Sequence, residues 1–143
     1  MDELPTRIRL EIVTPERQLV RESVLAVSVP GKEGYLGILP GHAPLLSELK
    51  PGEMSYTRDT VTHYLAVCWG FVEVLPDRVI VLAESGERAE EIDVSRAERA
   101  RKKAEERLGK LNDPTVDRAR AQRALDRSMA RLAAVAQLKQ GRK

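Results

Sequence analysis

Residues 69–83, Trp69-Gly70-Phe71-Val72-Glu73-Val74-Leu75-Pro76-Asp77-Arg78-Val79-Ile80-Val81-Leu82-Ala83, read as two strands joined by a turn. β-Branched and aromatic residues fill both arms, and Pro76-Asp77 supplies the bend, because proline presets φ for a tight turn. The preceding sequence has the same grammar. Met54 to Arg58, the turn Asp59-Thr60 and Val61 through Val67 read as a second hairpin. Further upstream, Ile8, Leu10 and Ile12 alternate with Arg7, Arg9 and Glu11, the pattern of a half-buried strand, and Thr14-Pro15-Glu16 ends it. Val24 to Val29 reads as one mostly buried strand that stops at Pro30-Gly31. Tyr35 to Leu39 is a short strand closed by Pro40-Gly41. Seven of the eight prolines and six of the nine glycines lie before residue 84, so the first part is predicted to be all-β. Short strands at such regular spacing predict a small sandwich or barrel.

Beyond Ala83 the period changes. Val94, Ala97, Ala100, Ala104, Leu108 and Leu111 recur at helical spacing, and so do Ala121, Leu125, Ser128, Leu132 and Val135. Leu111-Asn112-Asp113-Pro114 separates the two segments. Asp113 suits an N-cap and Pro114 the first helical position, which predicts that the second helix starts there. The expected organisation is a β domain over residues 1–84, a linker over 85–92 and an antiparallel helical hairpin over 93–143. The hairpin's seam is narrow and rich in alanine. At about 25 cal/mol per Å² of buried apolar surface it gains little, so it is expected to be the less stable part and able to change position.

The chain has 143 residues, 42% hydrophobic and 32% charged, enough apolar content for a packed core. Its aromatics, Tyr35, Tyr56, Tyr64, Trp69 and Phe71, all precede residue 72, so the helices must pack with small aliphatic groups. No apolar run approaches the roughly 18 residues of a membrane span. Met1-Asp2-Glu3-Leu4-Pro5 has acids and no apolar h-region, so no secretory signal is expected. Cys68 alone cannot form an internal disulfide, and two histidines with one cysteine are too few for the usual zinc site. Charge is uneven. Residues 1–83 carry 8 basic and 11 acidic side chains, whereas residues 116–143 carry 8 and 2, so the C-terminal surface is basic.

The residues with chemical potential are few. His42 lies in the rigid loop Leu39-Pro40-Gly41-His42-Ala43-Pro44, without a serine or cysteine elbow, and reads as a contact or structural histidine. Cys68 reads as a buried small hydrophobe. Gly31, Gly34 and Gly37 form no phosphate-binding motif and read as turn chemistry. Asp93 caps the first helix, with Glu90 and Glu91 suiting its positive end. On the second helix Arg120, Arg123, Arg127 and Arg131 share one stripe, either a solvated face or a surface for an anionic partner. Nucleic acid is disfavoured because no aromatic follows Phe71 to stack on bases. No acid–base or nucleophile constellation suggests an enzyme, and no metal or cofactor is called for.

Three motifs in order resemble one family. Val29-Pro30-Gly31-Lys32-Glu33-Gly34-Tyr35-Leu36-Gly37-Ile38-Leu39-Pro40-Gly41-His42-Ala43-Pro44, then Trp69-Gly70-Phe71-Val72-Glu73-Val74, then Glu87-Arg88-Ala89-Glu90-Glu91-Ile92-Asp93 with Arg96-Ala97, are similar to the epsilon subunit of F-type ATP synthases. The resemblance runs from about Ile8 to Leu138. It implies a β + α fold, a ten-stranded β-sandwich followed by a two-helix hairpin. It implies a non-catalytic rotor subunit whose sandwich joins the gamma subunit to the c-ring, with Glu33, Tyr35 and His42 in the ring-facing region. Many relatives carry an acid where Tyr35 stands. The resemblance also implies a peripheral position on the cytoplasmic face of the inner membrane, held there through the complex only. The hairpin is then regulatory: folded down it permits activity, and extended between the alpha and beta subunits it suppresses ATP hydrolysis. ATP is implied as a regulatory ligand of some relatives through Ile92, Asp93, Arg96 and Ala97, with Glu87 upstream and Arg120, Arg127 and Arg131 facing the phosphates. Lys103 stands where tight binders carry an arginine. The alternative is a stand-alone ATP-sensing module acting outside the synthase.

Overall fold

The computed structural model describes residues 4–141; the outermost residues of the two expected domains, 1–3 and 142–143, lie outside it. Eight strands precede two helices: β1 (Ile8–Val13), β2 (Gln18–Val24), β3 (Ala26–Gly31), β4 (Gly34–Ile38), β5 (Leu45–Glu48), β6 (Gly52–Arg58), β7 (Val61–Leu75) and β8 (Arg78–Arg88), then α1 (Val94–Gly109) and α2 (Arg118–Gly141). The strands form one sheet in the order β2-β1-β8-β7-β6-β3-β4, with β5 on β7. All pairings are antiparallel except β1 with β8.

The strand count is eight where ten were expected, and β7 gives the reason. Its 15 residues pair with β6 through Val61–Val67 and with β5 through Phe71–Val74, while β8 follows it along both halves. Leu65 and Val67 point into the main core, but beyond Trp69-Gly70 it is Val72 and Val74 that do so. The alternation changes phase there, because a strand passing from one layer to the other must keep turning its apolar side to the interior. β7 and β8 each run on without a break, so the count is eight and not ten.

Other boundaries move for local reasons. The run Val24 to Val29 is split, because Leu25 leaves the ladder and its N–H donates to the Thr57 carbonyl at 2.8 Å. β8 continues to Arg88 and a 3₁₀ turn occupies Ala89–Glu91, so most of the expected linker is ordered. The second helix begins at Arg118. Asp113 instead accepts from the Thr115 N–H at 2.9 Å and its hydroxyl at 2.7 Å, closing a local turn, and Asp117 takes the cap, accepting from the Arg120 N–H at 3.1 Å. The Thr115 bonds hold the Asp113 carboxyl below the usual carboxylate range.

Two separate apolar clusters result. The main core runs from Ile8 to Ala83 and contains no helical residue. The second joins Ala66, Cys68, Ala89 and Ile92 to Ala130, Ala134 and Val135 of α2, with Tyr64, Trp69, Val94 and Leu138 at its margin. The hairpin is therefore docked on the sandwich, α2 innermost. Among the described residues no helix is long and apolar enough to cross a membrane.

Candidate regulatory interface

The surface between α2 and the sandwich holds most of the residues singled out in the sequence. Asp93 caps α1, accepting from the Arg96 N–H at 3.1 Å, and Ile92 and Ala97 are buried beside it. Because the helices are antiparallel, the start of α1 lies against the late part of α2, where Val94 meets the cluster of Val135 and Leu138. Arg131 of α2 reaches Glu87 at the end of β8, Nε to Oε1 3.1 Å. One turn earlier, Arg127 lies 5.9 Å from the centre of the Trp69 ring. Of the expected site residues the structure pairs Glu87 with Arg131 and sets Arg127 near Trp69, while Asp93 and Arg96 are exposed at the start of α1.

Arg120 does not join them. It is exposed at the hairpin's tip, in a shallow cleft with Arg107, Lys110 and Asp117. Eleven residues separate it from Arg131, roughly 16 Å along a helix at about 1.5 Å per residue, too far for both to grip one phosphate group. Lys103 is exposed on α1.

The arginine stripe has a partner within the chain. Arg123 Nη2 lies 2.7 Å from Glu84 Oε2, and its guanidinium sits 3.7 Å from the Trp69 ring centre. Arg123 lies on the same stripe as Arg120, Arg127 and Arg131 but outside the positions the family resemblance implies for ATP, and it is the one that meets Trp69 face-on. The missed signal is the phase change between Leu65/Val67 and Val72/Val74, which marks Trp69 as a turning point.

Beside Arg131 a cleft of about 300 Å³ opens between the sandwich and α2, lined also by Arg17, Cys68, Ser85 and Glu87. Arg17 pairs with Glu91 at 2.8 Å, which raises its pKa. Burial pushes the Cys68 thiol up, opposed by a hydrogen bond with Ser85 and by the charges of Arg131 and Arg127. The cleft is polar and supplied with two guanidiniums, each already facing a carboxylate. An anion entering it must displace Glu87 or Glu91.

Glu33, Tyr35 and His42 are not one cluster. Glu33 precedes β4 and His42 follows it, so they flank opposite ends of that strand. Tyr35 is half exposed, with Lys50 Nζ 5.8 Å from its ring centre, and partial burial raises its phenol pKa. His42 Nδ1 lies 2.7 Å from the Ala43 carbonyl, a contact that makes Nδ1 the protonated, donating nitrogen. The Gly41 N–H of that loop donates to the Pro76 carbonyl at 2.7 Å, tying the loop to the β7–β8 turn. Among the described residues no group of histidine, cysteine and acidic side chains could hold a metal.

A β-sandwich with a helical hairpin folded onto it defines a class of protein, and the sequence matches agree with it. Residues 7–89 match the family described as ATP synthase, Delta/Epsilon chain, beta-sandwich domain, and residues 90–136 match the ATP synthase, Delta/Epsilon chain, long alpha-helix domain. The chain belongs to the ATP synthase delta/epsilon chain family. Its relatives include ATP synthase epsilon chains of Koribacter versatilis, 60% identical over 68% of this chain and 69% of that one, and of Herpetosiphon aurantiacus, 50% identical over 94% and 98%. The fold is similar to a chain in the OSCP/F1/c-ring assembly of Euglena gracilis mitochondrial ATP synthase, with a TM-score of 0.80 at 24% identity over 96% of this chain and 84% of that one. It also resembles a chain in the central stalk/c-ring of the Tetrahymena thermophila enzyme, with a TM-score of 0.61 at 14% identity over 93% and 99%.

Proposed function

We propose that the chain is a non-catalytic subunit of the ATP synthase central stalk, bound to the membrane only through the complex. Its sandwich joins the gamma subunit to the c-ring, and its hairpin regulates ATP hydrolysis. Docked as here, the hairpin permits rotation; extended between the alpha and beta subunits, it blocks hydrolysis. The observation that carries this reading is the separation of the two clusters. The hairpin adds nothing to the main core and holds on through small side chains and half-exposed ion pairs, so it can leave without unfolding the sandwich. ATP stabilises the docked form, through Asp93 and Arg96 on α1 and Arg127 and Arg131 on α2, with Glu87 released from Arg131. A ligand that needs both helices and the end of β8 favours the docked form, so ATP shifts the equilibrium by its differential affinity.

The test compares assembled complexes with and without residues 94–143. Deletion raises ATP hydrolysis and leaves synthesis intact; unchanged hydrolysis means that the hairpin does not inhibit. Magnesium-free ATP titrated into the isolated chain by calorimetry tests the ligand. Arg127→Ala weakens binding by about 1.5–3 kcal/mol, the value of a hydrogen bond to a charged group, whereas Arg120→Ala, at the far tip, changes little. No heat at millimolar ATP sinks the nucleotide reading.

A further inference from the structure

The phase change in β7 is more than a device for crossing between layers. The β7–β8 ladder pairs Cys68 with Ser85 and Gly70 with Ala83, and the position between them, Trp69 opposite Glu84, is unpaired. Trp69 has φ 52, a left-handed conformation that is an outlier for so large a side chain. Gly70 beside it has φ 115, and a Cβ there would stand 1.9 Å from the Leu82 carbonyl oxygen, so only glycine allows the strand to turn in this way. The strain persists because the two long strands hold it from both sides.

Both unpaired residues serve one side chain. Arg123 of α2 lays its guanidinium 3.7 Å from the Trp69 ring centre and sets Nη2 2.7 Å from Glu84 Oε2. Arginine suits this double task, because its planar cation stacks on an aromatic face while its edge donates to a carboxylate. Elsewhere the hairpin's buried contacts are mostly alanine, which bring surfaces close without choosing a register. We infer that Trp69, Glu84 and Arg123 form a latch that holds the hairpin on the sandwich, the strand inversion being the receptor and Arg123 the bolt. The inference rests on the reading of the hairpin as a releasable element and names what holds it closed.

The geometry also sets the strength. The Arg123 and Glu84 side chains are 47% and 59% exposed, so the ion pair is weak and salt-screened, and the stack is of the partly solvated kind. A latch of this kind shifts docking by roughly threefold to tenfold, enough to bias a two-state element without locking it.

Hydrogen exchange on the full chain without nucleotide tests the latch. Arg123→Ala accelerates exchange of α2 amides threefold to tenfold, while amides of β1 and the first half of β8 keep their protection. Glu84→Gln retains the stack, gives a smaller acceleration and loses most of the salt dependence. Arg120→Ala, removing the same charge from the tip, leaves α2 as it was. Emission from Trp69, the one tryptophan in the chain, shifts in Arg123→Ala and not in Arg120→Ala. Equal effects of Arg123→Ala and Arg120→Ala overturn the latch, because general electrostatics then accounts for docking. Loss of protection in α2 and the core together, in both Arg123→Ala and Glu84→Gln, also overturns it, because the contact is then merely structural. A hairpin that proves not to inhibit hydrolysis leaves these exchange results standing, so the two failures are distinguishable.

Discussion

Cutting the chain at two points only eight residues apart should give two very different proteins. A fragment ending at Ala83 contains every residue of the main core, from Ile8 to Ala83. A fragment ending at Glu91 adds no core side chain but completes β8. The added segment supplies the ladder partners of Leu65, Ala66, Val67 and Cys68, namely Arg88, Glu87, Gly86 and Ser85, and brings the Arg88 guanidinium to the Leu19 carbonyl. At about 1 kcal/mol net per backbone hydrogen bond, four such pairings come to about 4 kcal/mol. A domain of this size is stable by about 5–15 kcal/mol in all, so the loss is a large share. With a urea slope of roughly 1–2 kcal/mol per molar, the midpoint of the shorter fragment falls by about 2 M or more. The assay is urea unfolding of both fragments followed by far-UV circular dichroism and Trp69 emission. The longer fragment unfolds cooperatively, which is what a sandwich independent of its hairpin requires. Equal midpoints would refute the weight given to the ladder, and an unfolded longer fragment would refute the independence of the sandwich.

Two further outcomes follow from single residues. Gly70→Ala should destabilise the protein by about 3 kcal/mol or more in urea unfolding, because the substitution adds positive-φ strain to a backbone clash at the Leu82 carbonyl; a loss below about 1 kcal/mol would show that the inversion relaxes freely. Burial in the core, with the Glu22 carboxylate adding to it, pushes the Tyr56 phenol up to about 12 from an ordinary value of 10.0. The folded state therefore keeps a proton that the unfolded state loses, so this contribution is intact below pH 10 and declines from there toward about pH 12. Thermal melts across that range should show the decline, and Tyr56→Phe should flatten it.

Much of this fold is written locally. The hairpin around Asp59-Thr60 and the strands from Ile8 and Arg78 are legible because alternation and turn residues agree. Both helices are legible from their period, and Asp93 from its capping chemistry. What escaped depends on long-range geometry. Nothing local distinguishes a strand that ends at Val67 from one that bends through Trp69-Gly70 and continues, since the bend is imposed by the two layers that it joins. The short β5 has an exposed, unpatterned sequence and exists through its pairing with β7. At Asp113 two rules compete, and the Thr115 hydroxyl tips the aspartate toward a turn instead of a helix start. The composition of the candidate interface was visible, but its grouping was not. Which arginine meets Trp69 and which stays at the tip depends on where α2 lies on the sheet, and one turn of helix decides it.

The alanine in the hairpin's seam bears on how the molecule survives being opened. Lifting α2 from the sheet uncovers Ala130, Ala134 and Val135 on the helix, with Leu138 at the margin. A face closed by leucine or phenylalanine would leave an oily stripe in water and would stick to whatever came near. The helix side of this contact is mostly small and is flanked by arginines. The aromatic groups of this contact, Tyr64 and Trp69, stay with the sandwich, so the apolar load of an opened molecule falls on the sheet and not on the helix that moves.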